Sequence, residues 1–269
     1  MTSVITSTAV FNFAVVGQVR SGTAALASSL SGLPNTHCHV GLLDRSEKVR
    51  RHATDAYFGL TEEEAGETFD AGKVWFTPGH TNPYHYLRSQ VFDQPRRGEA
   101  RIGVRLDYAF TGRYQLHDAI EEMYRLGDFC VVHVRRNPAA CFISLKQAER
   151  HGTWGRMSNA ADDGSVPPPV RLCAEELTAF VRAHHAEERR VHAACPDAIV
   201  VEYRDLCLGY ERQVRRVAAY IEAPCESVAL PCVRRMRNRA MPARVTNFAE
   251  ILAEVPSDVR AALTARDLY

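Results

Sequence analysis

"FCVVHV", residues 129–134, is a run of β-forming residues with no polar alternation. A strand with one wet face alternates; an unbroken apolar run belongs to a strand covered on both faces, as in a parallel sheet packed between helices. The rest of the chain repeats that theme. Phe11 to Val16 is a short apolar run followed by a helix pattern from Ala24 to Leu30. "RIGVRLDYAF" (101–110) mixes β-branched and aromatic residues and reads as another strand, and 129–134 leads into a helix from about Ala139 to Arg150. "DAIVVEY" (197–203) reads as a strand and "ERQVRRVAAYIEA" (211–223) as a helix. Strands alternating with helices predict an α/β fold, with a central, mainly parallel sheet flanked by helices. With 269 residues and no internal repeat, the chain reads as a single domain, 1–269, around one core.

Two stretches interrupt the alternation. "TPGHTNPYHYL" (77–87) carries turn residues and aromatics, and "NAADDGSVPPPVR" (159–171) reads as a flexible loop. Loops over the strand ends of such a sheet are where a second substrate sits. Residues 1–10 read as a frayed lead into the first strand, without a signal-peptide pattern, and no uncharged segment is long enough to span a bilayer. The net charge of +1 gives no surplus for wrapping nucleic acid, so an anion site must be a local cluster. That cluster would be of arginines, since Lys48, Lys73 and Lys146 are the only lysines. The eight cysteines form no Cys-x-x-Cys pair, and several lie within apolar runs. Buried free thiols in a reducing cytoplasm account for them.

"VVGQVRSGTAAL", Val15 to Leu26, has the form of a phosphate-binding loop: a strand, two glycines and an apolar helix. In ATP- and GTP-binding loops a lysine reaches the outer phosphates and a hydroxyl holds magnesium. Here Gly17 and Gly22 keep the spacing, but Thr23 and Ala24 stand in those two places. Cleavage of an outer phosphoanhydride is then poorly supported. The loop instead carries its own cation, Arg20, between hydroxyls of Ser21 and Thr23. That suits a terminal group of lower charge than a γ-phosphate, handled without a metal.

"RSGT" after a strand resembles the 5′-phosphosulfate loop of the sulfotransferases that use 3′-phosphoadenosine 5′-phosphosulfate (PAPS), whose bacterial members often have arginine first. A second stretch, "FCVVHVRRNPAACFISL", resembles the family's strand ending in Val-Arg-Asp/Asn-Pro, followed by a helix with a serine eight residues after the arginine: Arg136 and Ser144. The resemblance implies that Arg20, Ser21, Gly22, Thr23 and Ala24 hold the phosphosulfate, and that Arg136 and Ser144 hold the 3′-phosphate. An arginine fork and a serine two helical turns along suit that role. "IGVRLDY" (102–108) is similar to the family's central strand, and "VVEYRDL" (200–206) to its Tyr-Glu-Asp-Leu stretch, which implies Tyr203 near the adenine. "RVTNFAEIL" (244–252) looks like the ending of many bacterial members, and the arginines before it, Arg244 among them, would close over the nucleotide. Ala24 departs from the family's second hydroxyl, Ala25 from a tryptophan of eukaryotic members, and Arg204 from a glutamate.

The resemblance implies a P-loop NTPase-like sulfotransferase fold and transfer of the sulfuryl group of PAPS to a hydroxyl or amine. The acceptor would be a small molecule or carbohydrate, with no metal, no nucleic acid and no membrane span. A kinase with a degenerate loop and a non-catalytic nucleotide-binding module remain the alternatives. Arg20 would stabilise charge on the leaving phosphate. For the general base three residues stand together: His37 and His39 in "NTHCHV", and Asp107 at the end of the central strand. Alternation puts His37 and His39 on one face if that segment is extended. His184, His185 and His192 in "FVRAHHAEERRVHAA" read as part of a solvated helix face, and His133 as a satisfied core residue.

Overall fold

The computed structural model describes residues 11–40, 83–92, 100–108, 116–127, 129–151, 156–157, 167–228, 233–234 and 240–265. In chain order its first elements are β1 (Phe11–Gly17), α1 (Thr23–Ser31), β2 (Thr36–His39), α2 (Pro83–Tyr86), a π-helical turn (Leu87–Phe92) and β3 (Arg101–Asp107). The middle of the chain forms α3 (Leu116–Arg125), β4 (Phe129–Arg135), α4 (Pro138–His151), β5 (Arg156–Met157), α5 (Ala174–Ala194) and β6 (Ile199–Glu202). It ends in α6 (Tyr203–Leu208), α7 (Tyr210–Tyr220), β7 (Val233–Arg234), a 3₁₀ turn (Met241–Arg244), α8 (Phe248–Glu254) and α9 (Ser257–Thr264).

Five strands form one sheet in the order β2-β3-β1-β4-β6, and every pairing in it is parallel. Parallel neighbours need crossovers, which the intervening helices supply. The two short strands β5 and β7 pair antiparallel, apart from this sheet. The apolar runs became the central strands for the expected reason: Phe13, Ala14, Val15 and Val16 are all fully buried, as are Val131, Val132 and Val134. β2, "THCH", is an edge strand of this sheet, and its composition alone does not announce it.

Alternating residues feed two cores. On one face Phe13, Val15, Val132, Val134 and Val201 pack against Leu26 and Leu30 of α1, Leu206 of α6 and Val214 and Val217 of α7. On the other, Ala14, Val16, Val104, Leu106 and Val131 pack against the π-helical turn, α3 and the C-terminal part of α5. A third cluster joins α4, the N-terminal half of α5, α8 and α9 beyond the sheet, through Ile143, Leu177, Val181, Ile251 and Val259.

Two expectations change. Residues 167–171 of the expected flexible loop are held in place, while 159–166 lie outside the described residues. The Val170 N–H donates to the Arg244 carbonyl, Thr246 N–H donates to the Val170 carbonyl, and Val170 is buried. Asn247 adds a two-bond clamp, accepting from Leu172 N–H and donating to the Leu172 carbonyl. Buried backbone must find partners, and here a segment brought in from the C-terminal region supplies them. The second change is His184, expected on a solvated helix face. It is 1% exposed, because it falls on the apolar stripe of α5 with Leu177, Val181 and Val191. His192, by contrast, is exposed.

Candidate active site

The loop between β1 and α1 is set by two glycines. Gly17 ends β1 beside β4, and a Cβ there would lie 2.5 Å from the Val134 carbonyl oxygen, so only glycine allows the strands and loop to meet. Gly22 has φ +96° and precedes the first residue of α1. Between them Arg20 has φ 72°, a left-handed conformation uncommon in a residue with a side chain. Backbone strain at a non-glycine position is retained where its surroundings hold it. Arg136 Nη1 donates to the Arg20 carbonyl at 2.6 Å and supplies that hold.

The start of α1 is equipped for an anion. Gly22 offers no side-chain cap, and the first turn contains no acidic residue. Its leading N–H groups and the positive end of the helix dipole are the ordinary means of holding a phosphate-like group. Ser21 is fully buried, and its Oγ has no hydrogen-bond partner among the described residues. A buried hydroxyl left so is costly unless a ligand or water completes it.

The second motif meets this loop from β4, the strand next to β1. Asn137 Oδ1 accepts from the Ala140 N–H and caps α4, which Pro138 opens. Two turns along, Ser144 Oγ accepts a hydrogen bond of 3.1 Å from Arg20 Nε. Arg20 and Arg136 therefore share one buried corner. Burial, and then the neighbouring Arg136 guanidinium, lower the Arg20 pKa from its ordinary value. The Arg136 guanidinium lies 4.0 Å from the centroid of the Tyr203 ring. The edge of the same ring lies against Gly22, where an added Cβ would stand 3.1 Å from Tyr203 Cδ2. Tyr203, the first residue of α6, thus joins both motifs. α1 begins at Thr23, one residue before the expected start at Ala24, and Thr23 is buried.

Arg244 is near but differently engaged. Its Nε and Nη2 donate to Gln147 Oε1 at 3.2 and 2.8 Å. Gln147 is one turn past Ser144 on α4 and itself donates to the Pro168 carbonyl. Sequence reasoning did not single out Gln147. Its spacing of three from Ser144 is the signal that marks both as one helix face.

The three base candidates separate. Asp107 is in register with Gly17, at the level of the loop. Its Oδ2 accepts from Arg105 Nη2 at 3.0 Å, both residues lying on the same face of β3. Arg105 was not predicted; its i, i+2 spacing to Asp107 was the available clue. His39 is in register with Val104, three residues lower along β3, or about 10 Å. It also faces the opposite side of the sheet from Asp107, since Val104 belongs to the other core. His37 and His39 share a face as the alternation predicts, with ring centroids 4.4 Å apart. Among the described residues no group of three or more His, Cys, Asp or Glu is placed to hold a metal ion. No helix among them is long and apolar enough to cross a membrane.

Neither a protein-family model nor a curated relative matches the chain. Among solved structures, a sulfotransferase from Alicyclobacillus acidocaldarius is similar at 19% identity, over 96% of this chain and 97% of that one, with a TM-score of 0.49. At that identity and score the likeness carries none of the functional reading, which rests on the residues of the site.

Proposed function

We propose that the chain transfers the sulfuryl group of PAPS to a hydroxyl or amine of a small-molecule or carbohydrate acceptor. The observation that carries this reading is the contact between its two motifs. Arg20 of the loop bonds Ser144 of α4, and Arg136 bonds the Arg20 carbonyl, although the motifs are more than a hundred residues apart. A donor with phosphate at both ends of its ribose needs two anion subsites side by side, one on the helix N-terminus and one on an arginine fork. The buried Ser21 hydroxyl and the uncapped start of α1 fit the first. Arg136 and Ser144 fit the second, with Tyr203 beside them for the base. In accepting from Arg20, the Ser144 hydroxyl has its own proton to give to a phosphate oxygen.

The donor supplies an activated sulfur and a phosphate leaving group. As the acceptor oxygen bonds sulfur and the bond to the bridging oxygen breaks, negative charge gathers on that oxygen. Arg20 and the first N–H groups of α1 are already oriented and need no rearrangement to stabilise it. The acceptor proton goes to a carboxylate, which we assign to Asp107 because it stands level with Gly17, whereas His39 is about 10 Å lower on the other face. Arg105 holds the Asp107 carboxylate in one orientation.

Calorimetry with 3′,5′-adenosine bisphosphate tests this directly. The intact protein should bind it without a divalent metal. Arg136→Ala should weaken binding about 100-fold, and Ser144→Ala about tenfold, the ordinary worth of a charge-assisted bond and of one hydroxyl. Failure of the intact protein to bind, or equal affinity in both variants, would overturn the reading. Incubation with labelled PAPS and a panel of acceptors then separates an active enzyme from a binding module.

A further inference from the structure

Tyr108 is the first residue after β3, one place beyond the last position in register with β1. Alternation turns it away from Asp107 and into the core with Val104 and Leu106. From there its hydroxyl is hydrogen-bonded to His133 Nε2 on β4. β3 and β4 are not neighbours, since β1 lies between them. The hydrogen bond therefore reaches across two strand spacings, roughly 10 Å between backbones, over the central strand that feeds the phosphate loop.

Both partners are held in a single state. Tyr108 is 2% and His133 3% exposed. Burial lowers the His133 pKa to about 4 and raises that of the Tyr108 phenol. A neutral imidazole and a protonated phenol hydrogen-bond with either group as donor, the His133 tautomer setting the direction. From α5 the His184 ring stands edge-on to Tyr108, centroids 5.2 Å apart, with Phe180 behind it. Tyr108 cannot swing clear without displacing that helix.

The parallel register already aligns β3 with β1 along its whole length. A bond placed after the last paired residue adds little to that alignment. It fixes the backbone where the strand would otherwise fray, which is the residue beside the Asp107 carboxylate. We infer that Tyr108 and His133 form a buried tie across β1 that positions Asp107 for proton transfer, an inference that rests on reading Asp107 as the base.

Tyr108→Phe removes the hydroxyl and keeps the ring packed against His184. Release of sulfate from PAPS with water as acceptor reads the effect without knowledge of the natural acceptor. Since an ångström of misplacement can cost about 100-fold in rate, kcat should fall by about 10- to 100-fold. KM for PAPS and affinity for the bisphosphate should stay unchanged. His133→Leu removes the same bond from the other side, should show the same split, and carries the test if Tyr108→Phe does not fold. Native kcat in the folded variants, or a loss shared equally by bisphosphate affinity, overturns the inference. If the intact protein neither binds the bisphosphate nor releases sulfate, the functional reading fails. Without sulfate release the tie is judged by amide hydrogen exchange alone: faster exchange at residues 107 and 108 in Tyr108→Phe supports it, and unchanged exchange refutes it.

Discussion

Acid should destabilise this protein through two buried histidines, and replacing one of them should show it. Burial lowers the pKa of His133 and of His184 from 6.5 to about 4, with the Glu188 carboxylate opposing that shift at both. The folded state therefore binds fewer protons than the unfolded chain between pH 6.5 and 4. The stability they contribute is fully present above pH 6.5 and is lost as pH falls toward 4. A shift of this size is worth about 3 kcal/mol per histidine when fully realised, of which about 2 kcal/mol is gone at pH 5. The two rings share one cluster and are not independent, so the combined loss at pH 5 should be about 3–4 kcal/mol. Against a total of about 5–15 kcal/mol for an ordinary domain, that brings the fold near its limit. His184→Phe keeps an aromatic ring among Tyr108 and Phe180 and removes the titrating group. It should also leave stability at pH 7.5 unchanged or raised, because neither ring nitrogen of His184 has a hydrogen-bond partner among the described residues. Urea unfolding at pH 7.5 and pH 5 measures both effects. The variant should lose about 2 kcal/mol less than the wild type on acidification. Glu188 does not confuse the comparison, since its pKa lies below the ordinary carboxylate value and it titrates below the window used. Equal losses in the two proteins, or a variant several kcal/mol weaker at pH 7.5, would refute the reasoning.

Two further substitutions probe the loop and the C-terminal clamp. Gly22→Ala places a side chain at φ +96° and 3.1 Å from the Tyr203 ring. It should cost about 1–2 kcal/mol in thermal unfolding, and it should weaken bisphosphate binding by calorimetry, because Tyr203 must move off Arg136. Asn247→Ala removes both bonds to Leu172, whose buried backbone groups then have no amide to meet. A loss of about 2–3 kcal/mol in urea unfolding is expected, with bisphosphate affinity kept in the folded protein.

The central strands were legible because they are covered on both faces, and the edge strand β6 because "DAIVVEY" is rich in β-forming residues. "FNFAVVG", "RIGVRLD" and "FCVVHVR" lie in the middle of the sheet, and burial on both faces writes itself as an apolar run. β2 at the edge reads Thr-His-Cys-His and carries no such mark. His184 was misplaced because charged neighbours dominate its stretch. Yet Leu177, Val181, His184 and Val191 keep one helical face, and that spacing was available to be read. Arg20 was visible from local chemistry, as a cation in a glycine loop, whereas Arg136 and Ser144 were marked by the resemblance of the two motifs taken together. Gln147 and Arg105 carried only their spacing from Ser144 and Asp107 as a signal, and Tyr108 meets its partner only across the sheet.

Sequence alone marked β1, β3, β4 and β6 as strands and showed that the glycine loop after β1 lacks the lysine and hydroxyl of nucleotide hydrolysis. Those properties depend on neighbours within a turn or two of the chain, where periodicity and glycine spacing are read directly. Tertiary structure alone decided that Arg20 touches Ser144, that Asp107 and not His39 stands level with Gly17, and that Tyr108 reaches His133 over β1. Parallel strands pair through crossovers, so the partner of each strand lies far away in sequence. Register, which sets the height and face of every side chain at the sheet's end, is fixed only when the whole sheet packs.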